Sequence, residues 1–120
     1  MHKLVILIES TADPSFDQTW PQFLHHAERI PGLVRESTSR VGQVLFGSLA
    51  CDMIHELFFD SSAALRQGLA SPEGQKAGQL LQSMTGGRVA LLFAEHTEDN
   101  IENIRRYQKS QSEADESAQR

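Results

Sequence analysis

The sequence of 120 residues predicts an α+β fold of the ferredoxin-like type, with a four-stranded antiparallel sheet and helices on one face. Three observations predict it. Apolar, β-branched segments lie at 3–8, 53–59 and 89–93, helical apolar stripes separate them, and the elements follow the order βαββαβ. Two right-handed crossovers in that order produce this sheet. A chain of this length is typical of one domain.

Composition limits the classes of function. The chain has 11 Lys and Arg residues against 16 Asp and Glu residues, so it lacks the positive field that nucleic-acid binding requires. Cys51 is the single cysteine, which excludes an internal disulfide and favours a reducing compartment. The first apolar run ends at Glu9 and is too short for a signal peptide or a membrane span. We therefore expect a cytoplasmic protein that binds neither nucleic acid nor a membrane.

The first helix follows the strand at 3–8 and a turn-forming stretch at 10–15. Pro21 would be costly in a helix interior. We therefore predict that the helix begins at Thr19, where residues 19–22 fit a capping box and Pro21 falls in the first turn. Its apolar stripe has the helical spacing of three and four residues, and it consists of Phe16 (in the entry loop), Trp20, Phe23, Leu24, Ala27 and Ile30.

The second half of the domain repeats the pattern. We predict an extended strand at 33–46, a hairpin connection at 48–51 and a third strand at 53–59 that is covered on both faces. The segment Asp60-Ser61-Ser62 is expected to cap a short helix at 63–69, and Ser71 is expected to cap the following helix, which ends at Gly86-Gly87. A last strand covers 89–93.

The residues after the last strand have a different composition. The domain is expected at 1–97 and a short helix at 98–109, whose acidic start and basic end match the helix dipole. Residues 110–120 contain only alanines as apolar residues and are expected to be a disordered tail.

A single sheet with helices on one side leaves its other face uncovered. Val5, Leu7, Phe58 and alternate residues of the last strand would form an apolar surface there. Such a surface is an association site, and a second copy of the same sheet is the simplest cover. We predict a homodimer.

Several segments together resemble the EthD (ethyl tert-butyl ether degradation) family over residues 3–96. They are Pro31-Gly32-Leu33, Glu56-Leu57-Phe58-Phe59-Asp60, Ser71-Pro72-Glu73-Gly74, Gly78, Gly86-Gly87 and Leu92-Phe93-Ala94-Glu95. The resemblance implies a dimeric α+β barrel, closed by two sheets across the dimer, with a cavity for a small organic ligand. One position departs from the family pattern. A histidine expected on the first helix, eight residues before the Pro-Gly, is Phe23 here.

The same superfamily includes cofactor-free monooxygenases, muconolactone isomerases, polyketide cyclases and haem-dependent enzymes, so the fold leaves the chemistry open. The founding EthD protein is associated with ether degradation as a small accessory protein beside an oxidising system. The resemblance therefore implies an accessory protein, or a cofactor-independent enzyme, of a degradative or oxidative pathway. The alternative is a non-catalytic dimeric module whose cavity is filled by side chains. Haem with His55 or His26 as axial ligand is a weaker option, and we expect no cofactor.

His55, His26 and Glu56 are the candidate acid–base residues. His55 and Glu56 sit mid-strand and point to opposite faces, so they cannot form a direct pair. We expect Arg35 or Arg40 to pair with Glu56, and a structural ion pair is the alternative to a cavity role. His26 lies beside the helix stripe and His25 faces solvent; the alternative is a surface histidine pair.

The candidate ligand-binding residues are mainly aromatic or lie on the second strand. That strand should be a sheet edge, where polar residues also prevent unwanted strand pairing. The set consists of Trp20, Phe23, Arg35, Ser37, Ser39 and Phe58. We predict no metal site, because His2, Glu95 and His96 lack a spaced ligand motif, and no catalytic thiol at Cys51.

Overall fold

The computed structural model describes residues 1–9, 14–102 and 105–106. The elements follow the chain in the order β1 (His2–Ile8), α1 (Phe16–Ala27), β2 (Leu33–Arg40), β3 (Met53–Phe59), α2 (Ser62–Ala70), α3 (Pro72–Thr85) and β4 (Val89–Glu95). The predicted tail at 110–120 lies outside the described residues, as do 103–104 and 107–109 of the predicted C-terminal helix.

The four strands form one antiparallel sheet in the order β2-β3-β1-β4. Ile6 lies opposite both His55 on β3 and Leu91 on β4. Alternate residues of β1 and β3 are buried beneath the helices, while the residues between them form the other face of the sheet. The ferredoxin-like fold is therefore confirmed, with β2 at an edge as expected.

The predicted start of α1 at Thr19 is wrong. The helix begins at Phe16, since the Thr19 N–H already donates to the Ser15 carbonyl at 2.9 Å, and Pro21 lies inside it. The longer helix stacks the Trp20 ring on those of Phe16 and Phe23, with centroids 5.7 and 5.0 Å apart. Each aromatic pair of this kind contributes about 0.5–1.5 kcal/mol, which offsets part of the cost of about 3 kcal/mol for an interior proline.

The predicted length of the second strand is also wrong. β2 ends at Arg40, which lies opposite Met53, the first residue of β3, so the residues after Arg40 have no partner strand. The connection between the two strands covers 41–52 instead of 48–51. It is closed by the Val41 N–H, which donates to the Asp52 carbonyl at 2.8 Å, and by the Asp52 N–H, which donates to the Ile8 carbonyl at 2.8 Å.

The predicted cap of α3 at Ser71 is confirmed, and within the predicted capping segment 60–62 it is Ser61 that caps α2. The Ser61 hydroxyl accepts the Ala64 N–H at 3.0 Å, and the Ser71 hydroxyl accepts the Gly74 N–H at 3.1 Å. α3 ends at Gly86, which adopts a left-handed conformation with φ of 60°. Among the described residues, no helix has the length and apolarity that crossing a membrane would require.

Candidate functional site: an apolar cavity beside a buried histidine

An apolar cavity of about 270 Å³ lies between the sheet and the helices. Gln75 carries the one polar side chain among its described lining residues. The lining consists of Leu4, Ile6, Phe23, Ile30, Leu57, Leu69, Gly74, Gln75, Ala77, Gly78, Leu81 and Leu91. The interior is therefore suited to an apolar molecule and offers few groups that could polarise it.

The sequence creates this space by placing small residues on one face of α3. Ala77 and Gly78 leave the room there, whereas the missing side chain of Gly74 lets α3 approach the backbone of α2. A Cβ atom built on Gly78 would meet no other atom within 4 Å. Leu91, on the edge strand β4, is 55% exposed and forms the rim. The cavity consequently opens toward solvent at the β4 edge of the sheet.

His55 is completely buried one ring away from this cavity. Its imidazole contacts the Phe23 ring edge-on, with centroids 5.7 Å apart, and the Trp20 ring at 5.1 Å. Phe23 lines the cavity, as the sequence suggested for a ligand-binding residue. Trp20 instead packs behind it and does not line the space. Phe23 thus contacts both the cavity and the His55 ring.

Both ring nitrogens of His55 are hydrogen-bonded to β2. The Nε2 atom lies 2.9 Å from the Glu36 carboxylate, and the Nδ1 atom lies 2.8 Å from the Thr38 hydroxyl. A carboxylate only accepts hydrogen bonds, so Nε2 carries the proton and Nδ1 accepts from Thr38. Burial lowers the pKa of His55, and the hydrogen bond to Glu36 and its charge oppose that shift. The imidazole is therefore neutral near pH 7.

Thr38 and Glu36 connect this network to the surface of β2. Thr38 is exposed, whereas His55 is buried and the Glu36 side chain is 24% exposed. Because both nitrogens face β2, proton exchange at His55 would pass through Thr38 or Glu36 rather than through the cavity. The same hydrogen bonds leave neither nitrogen free to ligate a haem iron.

Sequence reasoning missed Glu36 and Thr38. Thr38 lies directly opposite His55 and Glu36 lies opposite Leu57, so alternate positions of β2 meet His55 on the helix side. The alternating polar residues on this edge strand are the sequence signal for these two partners of His55. The partners can be assigned only when the register between β2 and β3 is known.

The other candidate residues lie together on the opposite face of the sheet. Ser37 lies opposite Glu56, and Ser39 lies opposite Ile54. The Lys3 ammonium donates to the Glu56 carboxylate at 3.2 Å, and the Ser37 hydroxyl donates to it at 3.3 Å. The predicted site residues of the strands are thus divided between the two faces of the sheet. The apolar cavity lies on the face that the helices cover, and Glu56 lies on the other face.

The expected pairing of Arg35 or Arg40 with Glu56 is wrong. The Arg35 guanidinium lies 4.1 Å from the centroid of the Phe58 ring and donates to the Glu98 carboxylate at 2.7 Å. Arg40 lies opposite Met53, which is buried beneath the helices, and so belongs to the other face. Lys3, on the neighbouring central strand, is the partner that the sequence did not reveal.

Phe58 is 2% exposed because cationic and aromatic side chains cover it. Beside the Arg35 guanidinium, the His96 ring contacts it edge-on at 4.9 Å. Arg35 and His96 also line a shallow groove of about 280 Å³ with Glu98. Hydrogen bonds from His96 and Arg35 lower the pKa of Glu98 to about 2, so this carboxylate is charged at neutral pH.

His26 connects the two long helices on the outside of the molecule. Its Nδ1 atom lies 2.7 Å from the Glu73 carboxylate in the first turn of α3, and the hydrogen bond lowers the pKa of Glu73. His26 is not among the described lining residues of the cavity. His25, by contrast, is exposed as expected. Within the part of the chain that is described, no three His, Cys, Asp or Glu side chains are arranged to hold a metal ion.

Fold and site together define a ferredoxin-like α+β protein with an apolar cavity between sheet and helices. No protein-family model matches the chain. An uncharacterized 11.0 kDa protein from the thcB–thcC intergenic region of Rhodococcus erythropolis is 27% identical over 97 residues, which cover 79% of this chain and 94% of the relative.

Solved structures share the fold. An EthD family protein from Bacillus halodurans has a TM-score of 0.74 and 24% identity, covering 81% of this chain and 99% of that chain. A dimeric ferredoxin-like protein of unknown function from a Jannaschia species has a TM-score of 0.65 and 16% identity, covering 79% and 98%. SnoaB, a cofactor-independent oxygenase from Streptomyces nogalater, has a TM-score of 0.59 and 14% identity, covering 83% and 95%. The resemblance to the EthD family is therefore confirmed in the fold.

Proposed function

We propose that this protein is a homodimeric, EthD-like protein that binds a small, largely apolar organic molecule. It acts as an accessory protein, or as a cofactor-independent enzyme, in a degradative or oxidative pathway. The observation that carries the proposal is the apolar cavity of about 270 Å³. A cavity of roughly 150 Å³ lined by aliphatic and aromatic side chains suffices to bind benzene, so this one accommodates a somewhat larger molecule.

The open face of the sheet supports the homodimer. Val5, Leu7 and Ile54 are only half-buried there, and Leu92 is 49% exposed. The EthD-family and dimeric ferredoxin-like structures share this fold. In a two-fold arrangement, Glu56, Arg35, Ser37, Ser39 and the covered Phe58 line the seam between the sheets.

The cavity itself favours ligand binding over purely structural assembly. A module with a filled cavity would carry larger side chains where this chain has Ala77 and Gly78. If the protein is also an enzyme, proton exchange at the neutral His55 passes through the side chains of Thr38 or Glu36. His26 and Glu56 are then the remaining proton-transfer candidates, and the comparison with the oxygenase fold is the reason to measure turnover.

Native mass spectrometry of the protein purified from its own host tests this function. We expect a dimer that carries a reproducible small-molecule adduct, released on denaturation, with the mass of an apolar organic compound. A dimer that remains bare from every preparation would contradict ligand binding and favour the assembly module. A monomer at all concentrations would contradict the two-fold arrangement.

A further inference from the structure

The connection between β2 and β3 exposes large apolar side chains. We name residues 41–50 the apolar arm. Leu45 is 88% exposed and Phe46 is 98% exposed, so these two side chains make almost no contact within the protomer. Val44 and Leu49 are 42% and 60% exposed. Single exposed apolar residues are ordinary, but a contiguous group marks an interaction surface.

The arm is also free of charge. Residues 41–51 contain no Lys, Arg, Asp or Glu, although 22% of the chain is charged. Its base is fixed, because the Val41 N–H donates to the Asp52 carbonyl and the Asp52 N–H donates to the Ile8 carbonyl of β1, both at 2.8 Å. A fixed base with an uncharged apolar tip reduces the conformational entropy that docking would cost.

The arm continues the open face of the sheet. Leu49 and Ala50 share a pocket of about 220 Å³ with Leu7 and Ala90. Leu7 and Ala90 are paired across β1 and β4, and they belong to the face that the helices do not cover. The arm and the open sheet face are therefore contiguous, across a pocket that Glu9 and Arg88 also line.

We propose that the apolar arm clasps a second copy of this chain, with Leu45 and Phe46 buried against the partner subunit. This inference rests on the proposed homodimer and assigns it a specific contact. A two-fold axis through the open sheet face uses this contiguous surface twice, once from each copy. The two arms supply anchors of the aliphatic and aromatic type that dominate interface energies.

The areas are consistent with this role. An aromatic side chain offers about 150–250 Å², so Phe46 together with the smaller Val44, Leu45 and Leu49 provides roughly 500 Å² per protomer. A stable interface needs about 800 Å² from each partner, and the open sheet face supplies the remainder. A net charge of −5 makes two copies repel each other elsewhere, so an uncharged segment is a favourable place for contact. The same charge, with no cation in the arm, disfavours an anionic membrane as the occupant.

Analytical ultracentrifugation of Phe46→Ser and Leu45→Ser tests the clasp. Neither residue contacts its own protomer appreciably, so both variants should fold with unchanged circular dichroism and unchanged monomer stability. We expect each substitution to raise the dimer dissociation constant by about tenfold or more. Phe93→Ser is the matched control. It removes a phenylalanine that is 58% exposed, but on the helix side of the edge strand β4, and we expect it to leave the dissociation constant unchanged.

The outcomes separate the clasp from the proposed homodimer. If Phe46→Ser and Leu45→Ser form dimers with the same dissociation constant as the wild type, the clasp is wrong and the homodimer stands. A wild-type monomer at all concentrations overturns both. If the wild type is monomeric and sediments with vesicles of phosphatidylcholine and phosphatidylglycerol, and Phe46→Ser does not, the arm contacts membranes. That result would contradict the proposal. If Phe93→Ser raises the dimer dissociation constant as much as the two arm variants do, the effect is not specific to the arm and the clasp is contradicted.

Discussion

Gly74→Ala is expected to destabilise the folded protein by about 2 kcal/mol or more, which is the scale of core overpacking with a backbone shift. A Cβ atom at this position would lie near backbone atoms of α2, only 2.7 Å from the Leu69 carbonyl oxygen, and would clash still more closely with the Gly68 carbonyl. Backbone cannot move aside as a flexible side chain does, so α2 and α3 would have to separate. Urea unfolding followed by far-UV circular dichroism measures the change.

Gly78→Ala is the matched control, one helical turn further along α3. Its Cβ would meet nothing within 4 Å, so the substitution gains the helix propensity of alanine, about 0.8–1 kcal/mol, without a clash. If the two substitutions change the free energy of unfolding by the same amount, Gly74 does not mark a close contact between α2 and α3.

His55→Ala is expected to reduce the free energy of unfolding by about 3 kcal/mol, within the range for truncating a buried side chain. The substitution leaves a hole beneath Trp20 and Phe23, and it removes two hydrogen bonds, to Glu36 and Thr38. His25→Ala, on the exposed side of α1, should change stability by less than about 0.5 kcal/mol. Equal effects of the two substitutions would contradict the core position of His55.

The advantage of the wild type over His55→Ala should shrink as the pH falls below about 6.5. The pKa of His55 is lowered in the folded protein, so the unfolded chain takes up a proton there first, and proton uptake by the unfolded state favours unfolding. Glu73 and Glu98 have lowered pKa values and lose their stabilising contribution only at more acidic pH, equally in both proteins. A difference in stability that is constant from about pH 7.5 to pH 5 would contradict the burial of a neutral imidazole.

The fold could be predicted because its determinants are local. The caps at Ser61 and Ser71 and the left-handed Gly86 act over three or four residues, and strand alternation is visible in the sequence. The error at the end of β2 arose because that end depends on a long-range contact, namely where β3 begins. The start of α1 is different, because the stacked rings of Phe16, Trp20 and Phe23 are local to that helix and the presence of Pro21 was given too much weight.

The candidate site was harder to predict from the sequence than the fold. His55 and Glu56 were identifiable as ionisable residues in mid-strand, but their partners depend on the register of three strands. Lys3 approaches Glu56 from β1, and Glu36 reaches His55 from β2. The cavity depends on the distance between α3 and the sheet, which no local pattern encodes; small residues such as Ala77 and Gly78 were visible only as parts of a helix.

Methyl NMR of the protein titrated with benzene tests the central claim, that the space under α3 binds apolar molecules. We expect saturable shifts concentrated on methyl groups that line the cavity, such as those of Leu4, Ile6 and Leu81. Ala77→Leu, which fills the cavity, should abolish them, whereas Ala63→Leu adds the same atoms on the exposed part of α2 and should preserve them. Wild-type spectra without saturable shifts, or shifts that persist in Ala77→Leu, would contradict the cavity as a binding site.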